Sequence, residues 1–414
     1  MTDSLYDSAR LPIAVLLLVV LPVGLLGCGT NGETVPPMRT GTYGLTVANP
    51  DTTDLNATIY LVDSPDGATW GQIRVEREDT IDAAIGLSET TPDSLHFRFF
   101  GDNTLTVARS NADALQCTAL IGDERRPATL RFRTTDVPEA MTTLAKYPPL
   151  PLNSIRASWP APMSDDSIYV VDRPQSTIYL ARQTSDTCTA QALDYDASRY
   201  RFSSVGVSPD GSRLVAHGNY RDEAVNDSLG YGQSDLFLLH LSGPTHVERI
   251  EILPEPVNTS AYDIFASFDE DGHIIFSSSG QPGGNGRQDI HRARKTPDGW
   301  TVTAFSDVIN TRFADTGPYM GPGNRFLLFF RNARGQESET VQGEDIIYLS
   351  RQVDGEWSEP TTPGAPINAF YAYQYGARLS PSGRYLFVTS YRRPGGASVY
   401  RIPTADIPEL QGLL

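Results

Sequence analysis

A repeated turn in the second half of the chain limits the folds that this sequence can adopt. Four copies carry the turn glycines Gly211, Gly272, Gly323 and Gly383, which are 61, 51 and 60 residues apart. Each glycine lies between two short apolar runs, and three of the four follow Asp or Ser. Asp-Gly or Ser-Gly in that position is typical of a β-hairpin, because glycine adopts positive φ without a steric penalty. A degenerate fifth copy begins at Ala157.

Two further elements follow each hairpin at a regular distance. Strand-like runs begin at Thr177, Asp235, Asp289, Asp345 and Ser398, and three of the units then close with an apolar residue and an asparagine. A hairpin, a third strand and an outer strand make a four-stranded blade, and repeats of this length predict an all-β propeller. Five blades are recognisable. Either a sixth has lost the motif, or the ring closes with residues 150–156 as a partner strand.

The best-preserved unit runs from Asp345 to Arg392. It contains Gly-Glu-Trp-Ser-Glu-Pro from Gly355, Pro-Ile-Asn from Pro366 and Leu-Ser-Pro-Ser-Gly-Arg-Tyr-Leu-Phe-Val from Leu379. This order resembles the TolB-like propeller repeat, a WD-repeat-like family of bacterial envelope proteins. The resemblance covers residues 152–404 and implies recognition of a protein or peptide at one face of the propeller. It carries over no specific contact residue.

The chain begins with an apolar stretch, Leu11 to Leu26, that ends in Leu-Leu-Gly-Cys28. The stretch has 16 residues and contains proline and glycine, whereas a spanning helix needs roughly 20 residues. The junction is similar to the lipobox of bacterial lipoproteins, which implies cleavage before Cys28 and lipidation of its thiol. We therefore expect a signal peptide over 1–27, a tether over 28–40, and an outer-membrane lipoprotein that faces the periplasm or the cell surface.

The segment 41–136 has a different pattern, with short runs of alternating apolar and polar residues separated by Gly-Asp and Asp-Gly turns. Such alternation predicts a small antiparallel β-barrel or sandwich with one buried face. The alternative is that this segment forms extra propeller blades, although it lacks the Ser-Pro-x-Gly signature of the repeats. A short helix and a proline-rich linker are expected over 137–151, because Pro138 suits a first helical turn and prolines follow Tyr147. The propeller then occupies 152–404, and 405–414 is a C-terminal tail.

Cysteine and histidine residues give weak signals for chemistry. With Cys28 lipidated, Cys117 and Cys188 remain, and export would permit a disulfide between them, although two buried free thiols are an equal alternative. His217, His273 and His291 occupy different positions in their blades, so their convergence on a metal is not expected. The run Asp269-Glu-Asp-Gly272 is interpreted as a plain hairpin, since calcium needs 6–8 oxygen ligands. No metal or other cofactor is predicted.

The most suggestive polar residues lie just before the inner strands of the propeller. They are Asn258, Asp263, Asn310, Asp315 and Asn368. These side chains would either line one mouth of the propeller channel or, as we favour for the asparagines, bind the backbone of their own loops. An acidic mouth would suit a cation or a cationic peptide.

Composition and missing motifs narrow the function. The formal net charge is −17, which disfavours nucleic acid as a partner. The sequence has no Gly-x-Ser-x-Gly elbow, phosphate loop or His-Glu-x-x-His pair. We therefore expect a non-enzymatic, lipid-anchored binding or scaffold propeller of the cell envelope with a protein or peptide ligand. The alternative is a glycan-binding or glycan-active propeller in polysaccharide uptake, suggested by Trp159, Trp300, Trp357 and Phe370-Tyr-Ala-Tyr373.

Overall fold

The computed structural model of this chain describes residues 16–18, 40–48, 54–75, 81–90, 94–99, 104–108, 114–121, 124–152, 155–184, 187–225, 234–285, 287–332, 345–368, 373–393 and 396–414. The fold is nearly all β and divides into two compact units. The first comprises Met1–Ala145 with the short segment Arg393–Gly396, and the second comprises Lys146–Arg392 and Ala397–Leu414. Cys28 and the predicted tether up to residue 39 lie outside the described residues. Among the described residues, no helix is both long enough and apolar enough to cross a membrane.

The first unit is built on one antiparallel sheet of nine strands. They are β1 (Leu16–Leu18), β2 (Gly41–Val47), β3 (Leu55–Asp63), β4 (Thr69–Val75), β5 (Ile81–Thr90), β6 (Ser94–Phe99), β7 (Thr104–Ala108), β8 (Ala114–Ile121) and β9 (Glu124–Thr134). Their order is β1-β8-β9-β2-β3-β4-β5-β6-β7, and β7 also lies beside β1 and β8. The antiparallel β structure predicted for this segment is present, and the ends of the sheet, β1 and β7, lie close together. β1 lies inside the predicted signal peptide.

Alternation along the strands places one face of this sheet in a core. Leu45 and Val47 of β2 and Ile59 and Leu61 of β3 are buried, and the residues between them are more polar. The seven-residue helix α1 (Glu139–Ala145) packs against β3 and buries Leu144 completely. The short helix predicted from Pro138 is present.

The second unit is a ring of five blades. Blade one has β10 (Ala157–Pro162), β11 (Ser167–Asp172), β12 (Thr177–Gln183) and β13 (Cys188–Ala192); blade two has β14 (Tyr200–Val207), β15 (Arg213–Tyr220), β16 (Asp235–Leu241) and β17 (Val247–Ile252). Blade three has β18 (Asp263–Phe268), β19 (Ile274–Ser278), β20 (Asp289–Thr296) and β21 (Gly299–Ala304); blade four has β22 (Ala314–Met320), β23 (Phe326–Asn332), β24 (Ile346–Val353) and β25 (Glu356–Trp357). Blade five has β26 (Gln374–Leu379), β27 (Tyr385–Ser390) and β28 (Ser398–Pro403). All neighbouring strands within a blade are antiparallel.

The inner strands β10, β14, β18, β22 and β26 surround the axis, and β10 contacts β26 to complete the ring. The hairpin turns that connect inner and second strands lie on one face, which we call the lower face. The face where the inner strands begin is the upper face. The fold is thus the predicted β-propeller, with five blades in the described residues.

Blade five is completed by residues that precede blade one. Pro149 pairs with Tyr400 of β28, and the N–H of Leu150 donates to the carbonyl of Val399 at 2.8 Å. Leu152 is buried beside Phe387 and Val399. Of the two predicted ways to close the ring, the structure uses the partner segment, which begins one residue before the predicted range.

The C-terminal residues also belong to the folded ring. Two 3-10 turns, Thr404–Asp406 and Pro408–Leu410, follow β28. Ile407 and Leu410 are fully buried in the core between blades four and five.

Candidate functional site: the propeller channel and its two mouths

Each inner strand breaks its pairing with the second strand at one place. In blades one, three, four and five the break falls at Trp159, Phe265, Gly317 and Gly376, all with φ between 55° and 64°. Such bulges bend a strand and redirect its side chains. The left-handed conformation costs a bulky L-residue roughly 1–2 kcal/mol, so the two aromatic residues are held there by their surroundings.

Trp159 and Phe265 close the channel, and we call this pair the central plug. Their rings stack with centroids 4.4 Å apart, and Trp159 is only 4% exposed. The ring of Tyr375 lies 5.0 Å from that of Trp159. A Cβ atom at Gly376 would lie 3.0 Å from Cε3 of Trp159, so the glycine leaves the room that the indole occupies.

The plug is held by hydrogen bonds between neighbouring blades. The N–H of Trp159 donates to Oγ1 of Thr389 at 3.0 Å, and the N–H of Phe265 donates to Nδ1 of His217 at 3.4 Å. In the same way, the N–H of Gly317 donates to Oγ of Ser277 at 3.1 Å. Each acceptor lies on the second strand of the preceding blade. The bulges therefore join adjacent blades around the axis.

His217 is a structural residue of this network. It is buried, its Nδ1 lies 2.5 Å from Oγ of Ser204, and its ring packs edge-on against Phe265. Because a backbone N–H can only donate, Nδ1 accepts and the imidazole is neutral. Burial lowers the pKa of His217 to about 3.

The buried His217 predicts a loss of stability in mild acid. In the unfolded chain this histidine takes up a proton at its ordinary pKa of about 6.5, whereas in the folded protein it does so only at about 3. The free energy of unfolding is therefore highest above pH 6.5 and falls as the pH drops from 6.5 toward 3. We expect this group to lower the free energy of unfolding by about 2 kcal/mol between pH 7 and 5. His217→Gln should remove that part of the pH dependence in urea unfolding.

The exposed His246 supplies the control for this prediction. Its exposed ring bonds to Asp194 at the surface, and His246→Gln should leave the pH dependence as in the unmodified chain. Burial also lowers the pKa of His291, and burial raises the pKa of Asp263, which acts on the pH dependence in the opposite direction. Both residues are present in both variants, so their contributions are the same in each. Equal pH slopes for His217→Gln and the unmodified protein would contradict the prediction.

The predicted mouth asparagines are used inside the blades. Oδ1 of Asn258 accepts the N–H of Leu236 at 2.8 Å, and Nδ2 donates to the carbonyls of Leu236 and Leu253. Asn310 repeats the pattern with Ile290 and Phe305, and Asn368 repeats it with Ile347 and Pro363. In every case the second carbonyl lies five residues before the asparagine. The structure therefore places these side chains on their own loops and third strands, and not at the channel mouth.

Asp263 and Asp315 occupy equivalent positions at the start of two inner strands. Each carboxylate is buried, and its Oδ2 accepts the N–H and Oγ1–H of a threonine four residues earlier, Thr259 or Thr311. They differ in the residue paired with them across the hairpin. Asp315 faces Arg331, whose Nε lies 2.5 Å from Oδ1, whereas Asp263 faces Ser278. Burial raises the pKa of Asp263, and hydrogen bonds from Ser278 and Thr259 offset part of that effect.

This difference makes Asp263 and Asp315 a matched pair for mutation. Asp315→Asn should lower the free energy of unfolding by about 2–3 kcal/mol, because Arg331 loses its charged partner in a mostly buried place. Asp263→Asn should change it by no more than about 1 kcal/mol, because no cation among the described residues contacts that carboxylate and the amide oxygen retains the threonine bonds. Urea unfolding at pH 7.5 measures both. Equal losses would show that Arg331 contributes nothing specific.

The upper mouth carries aromatic and cationic side chains that reach the surface. Tyr373 and Tyr391 are half-buried with ring centroids 5.8 Å apart, and the guanidinium of the exposed Arg173 lies 5.7 Å from the ring of Tyr391. Tyr391 also approaches Tyr375, which touches the central plug. Aromatic rings therefore continue from the plug to the upper surface at the junction of blades five and one.

The tryptophans that suggested a glycan site are packing residues. Trp159 forms the plug, Trp300 packs on the core between blades two and three, and Trp357 lies against Phe305. Phe370 and Tyr371 lie outside the described residues. Of the predicted aromatic set, Tyr373 is the described residue at the upper mouth.

The structure does not bring the propeller histidines together. His217 lies at the axis, His273 binds Asp269 in a lower-face hairpin, and His291 contacts the carbonyl of Asp289. Asp269, Asp271 and His273 have ligand atoms close enough for a cation, but both Asp269 oxygens already bind His273 and Arg292 lies nearby. The hairpin predicted for this run is observed.

The two described cysteines are free thiols. Cys117 is buried in β8, and burial raises the pKa of its thiol to about 11. Cys188 is half-buried in β13, and burial raises its pKa as well. A bridge between them is not formed in the structure and stays a prediction.

Comparison with known proteins found solved structures of low sequence identity. No protein-family model and no curated protein sequence matches the chain. A solved protein assigned as TolB from Agrobacterium tumefaciens is 14% identical with a TM-score of 0.32, covering 87% of this chain and 98% of that one. A soluble aldose sugar dehydrogenase from Escherichia coli is 12% identical with a TM-score of 0.38, covering 62% of this chain and 99% of its own length. A leech intramolecular trans-sialidase is 9% identical with a TM-score of 0.33, covering 88% and 82%.

Proposed function

We propose that this chain is a lipid-anchored protein of the bacterial cell envelope that binds a protein or peptide ligand and catalyses no reaction. The observation that carries the proposal is the filled channel. With Trp159 and Phe265 stacked across the axis, a protein or peptide ligand cannot pass through the channel and would bind a face of the propeller. Function on a propeller depends on the site and not on the fold, and the sequence has no motif of the common hydrolases.

The upper mouth is the best candidate for that binding face. Tyr373 and Tyr391 are half-buried aromatic side chains there, and Arg173 adds an exposed cation beside them. Tyrosine and arginine are enriched at the centres of protein interfaces, because they combine apolar contact area with hydrogen bonds.

A cross-linking experiment in cells tests this assignment. A photo-reactive phenylalanine analogue at Tyr373 should give a discrete adduct with an envelope protein. The same analogue at Val353, which is 57% exposed on an edge of blade four, serves as the control. An adduct at Tyr373 that Tyr391→Ala abolishes supports the proposal. No adduct at Tyr373, or the same adducts at both positions, would overturn it.

The anchor has its own test. Intact mass spectrometry of the protein from a bacterial host should give a chain that begins at Cys28 and carries acyl groups. Cys28→Ala should remain unprocessed. A full-length, unmodified mass for both would contradict the lipoprotein assignment and the envelope location with it.

A glycan ligand is the second candidate, and the half-buried tyrosine pair at the upper mouth favours it. Exposed aromatic rings stack on sugars, and Arg173 would pair with an acidic sugar. Binding on a glycan array that Tyr391→Ala removes would favour this candidate. Turnover of the bound glycan would replace the non-enzymatic proposal.

A further inference from the structure

Five residues, one from each blade, form a layer across the lower end of the channel. Each is the penultimate residue of its inner strand, and they are Ala161, Gly206, Ser267, Tyr319 and Arg378. We call them the lower layer. Ala161 and Gly206 leave space in this layer, and the side chain of Arg378 from blade five occupies it.

Arg378 crosses the channel within this layer. Its Nη1 donates to the carbonyl of Val205 in blade two at 2.5 Å, and its Nη2 donates to the carbonyl of Ala266 in blade three at 3.0 Å. A Cβ atom at Gly206 would lie 3.1 Å from Nη1. A side chain at position 206 would therefore crowd the guanidinium of Arg378.

The charge on Arg378 has no counterion among the residues that the structure describes. The side chain is 3% exposed, and both of its hydrogen-bond acceptors are neutral carbonyls. Burial lowers the pKa of Arg378 to about 10, so the group stays charged at neutral pH. A buried charge without an opposite charge is costly, and arginines in protein interiors are normally paired. A guanidinium has five N–H donors, and two of them bind these carbonyls.

Tyr319 and Ser267 contribute hydroxyl groups to the lower layer, and the Glu270 carboxylate, in the hairpin turn after β18, interacts with the Tyr319 phenol. The phenol of Tyr319 lies near the guanidinium, and burial raises its pKa, so the hydroxyl keeps its proton at neutral pH. Ser267 is buried in the same layer, with its hydroxyl bonded to the carbonyl of Pro318 at 2.7 Å. Tyr319 is the half-buried member of the layer.

We propose that the lower layer binds a small oxyanion, a carboxylate or a phosphate, between Arg378 and Tyr319. Arginine binds these planar or tetrahedral oxyanions with charge-assisted hydrogen bonds, and a phenolic hydroxyl adds a neutral donor. The ligand enters from the lower mouth, because the central plug closes the upper side. This site is separate from the upper mouth and does not depend on the binding function proposed for it.

Thermal unfolding of the full chain in matched salts tests the site. Sodium acetate and sodium phosphate are compared with sodium chloride at the same pH and ionic strength. At an oxyanion concentration tenfold above its dissociation constant, Tm should rise by about 3–5 °C. A rise in acetate alone identifies a carboxylate site, and a rise in phosphate alone identifies a phosphate site.

Variants separate binding from the general stabilisation that phosphate gives to proteins. Arg378→Met should abolish the difference between salts, and Tyr319→Phe should reduce it while the fold is kept. If Arg378→Met does not fold, Tyr319→Phe carries the test, since it removes the phenolic hydroxyl and leaves Arg378 in place. Equal Tm values in all salts, or the same salt response in every variant that folds, would overturn the proposal and leave Arg378 as a structural cross-link.

Discussion

Trp159→Ala should lower the free energy of unfolding of the propeller by about 3–5 kcal/mol, the range for deleting a large buried aromatic side chain. The indole fills the channel and stacks on Phe265, so its loss leaves a cavity bounded by four blades that cannot collapse without opening the ring. Urea unfolding followed by far-ultraviolet circular dichroism gives the value. Trp300→Ala and Trp357→Ala are the matched controls, because both rings are half-buried on outer strands, and each should cost less than about 2 kcal/mol.

A second substitution at the same position tests the backbone argument. Trp159 has φ of 55°, so alanine retains the steric penalty of the left-handed region and glycine does not. Trp159→Gly should therefore be more stable than Trp159→Ala by about 1 kcal/mol, the reverse of the usual order inside a strand. An alanine variant as stable as the glycine variant would contradict the assigned conformation.

Removing residues 407–414 should lower the free energy of unfolding by about 3–6 kcal/mol. The truncation deletes Ile407 and Leu410, which are fully buried, and a fully buried aliphatic side chain contributes roughly 1.5–3 kcal/mol. It also exposes apolar residues of the core between blades four and five, so aggregation on heating is expected.

A shorter truncation provides the control for this prediction. Removing only Leu414, which is 42% exposed, should cost no more than about 1 kcal/mol. Leu410→Ala in the full chain should reproduce about 2–5 kcal/mol of the larger loss. If both truncations had the same small effect, the C-terminal turns would contribute little to the ring.

The blades were predictable from the sequence because their signals are local. A glycine turn between two apolar runs, such as that at Gly383, determines a hairpin without reference to the rest of the chain, and repetition then defines the ring. The role of Asn258 and its equivalents as loop residues was also favoured, since an asparagine beside a turn commonly binds its own backbone.

The channel contents were not predicted, because they depend on distant residues meeting at the axis. Arg378 lies in a run that alternates like any strand, and its acceptors are Val205 and Ala266, far away in the sequence. One signal was available for the plug. Gly317 and Gly376 interrupt strand-like runs, and a glycine inside a strand often marks a bulge or a close approach of another group.

The pairing of Leu150 with Val399 has a consequence for the order in which the molecule folds. The segment that completes blade five is synthesised about 250 residues before its partner strand, so the ring cannot close until nearly the whole propeller has emerged. Until then β28 lacks its pairing with the segment around Leu150, so part of its outer edge is unpaired. The cores on either side of blade five also remain open to water. The closure of blade five by Leu150 and Val399 is therefore expected to be a late step in folding.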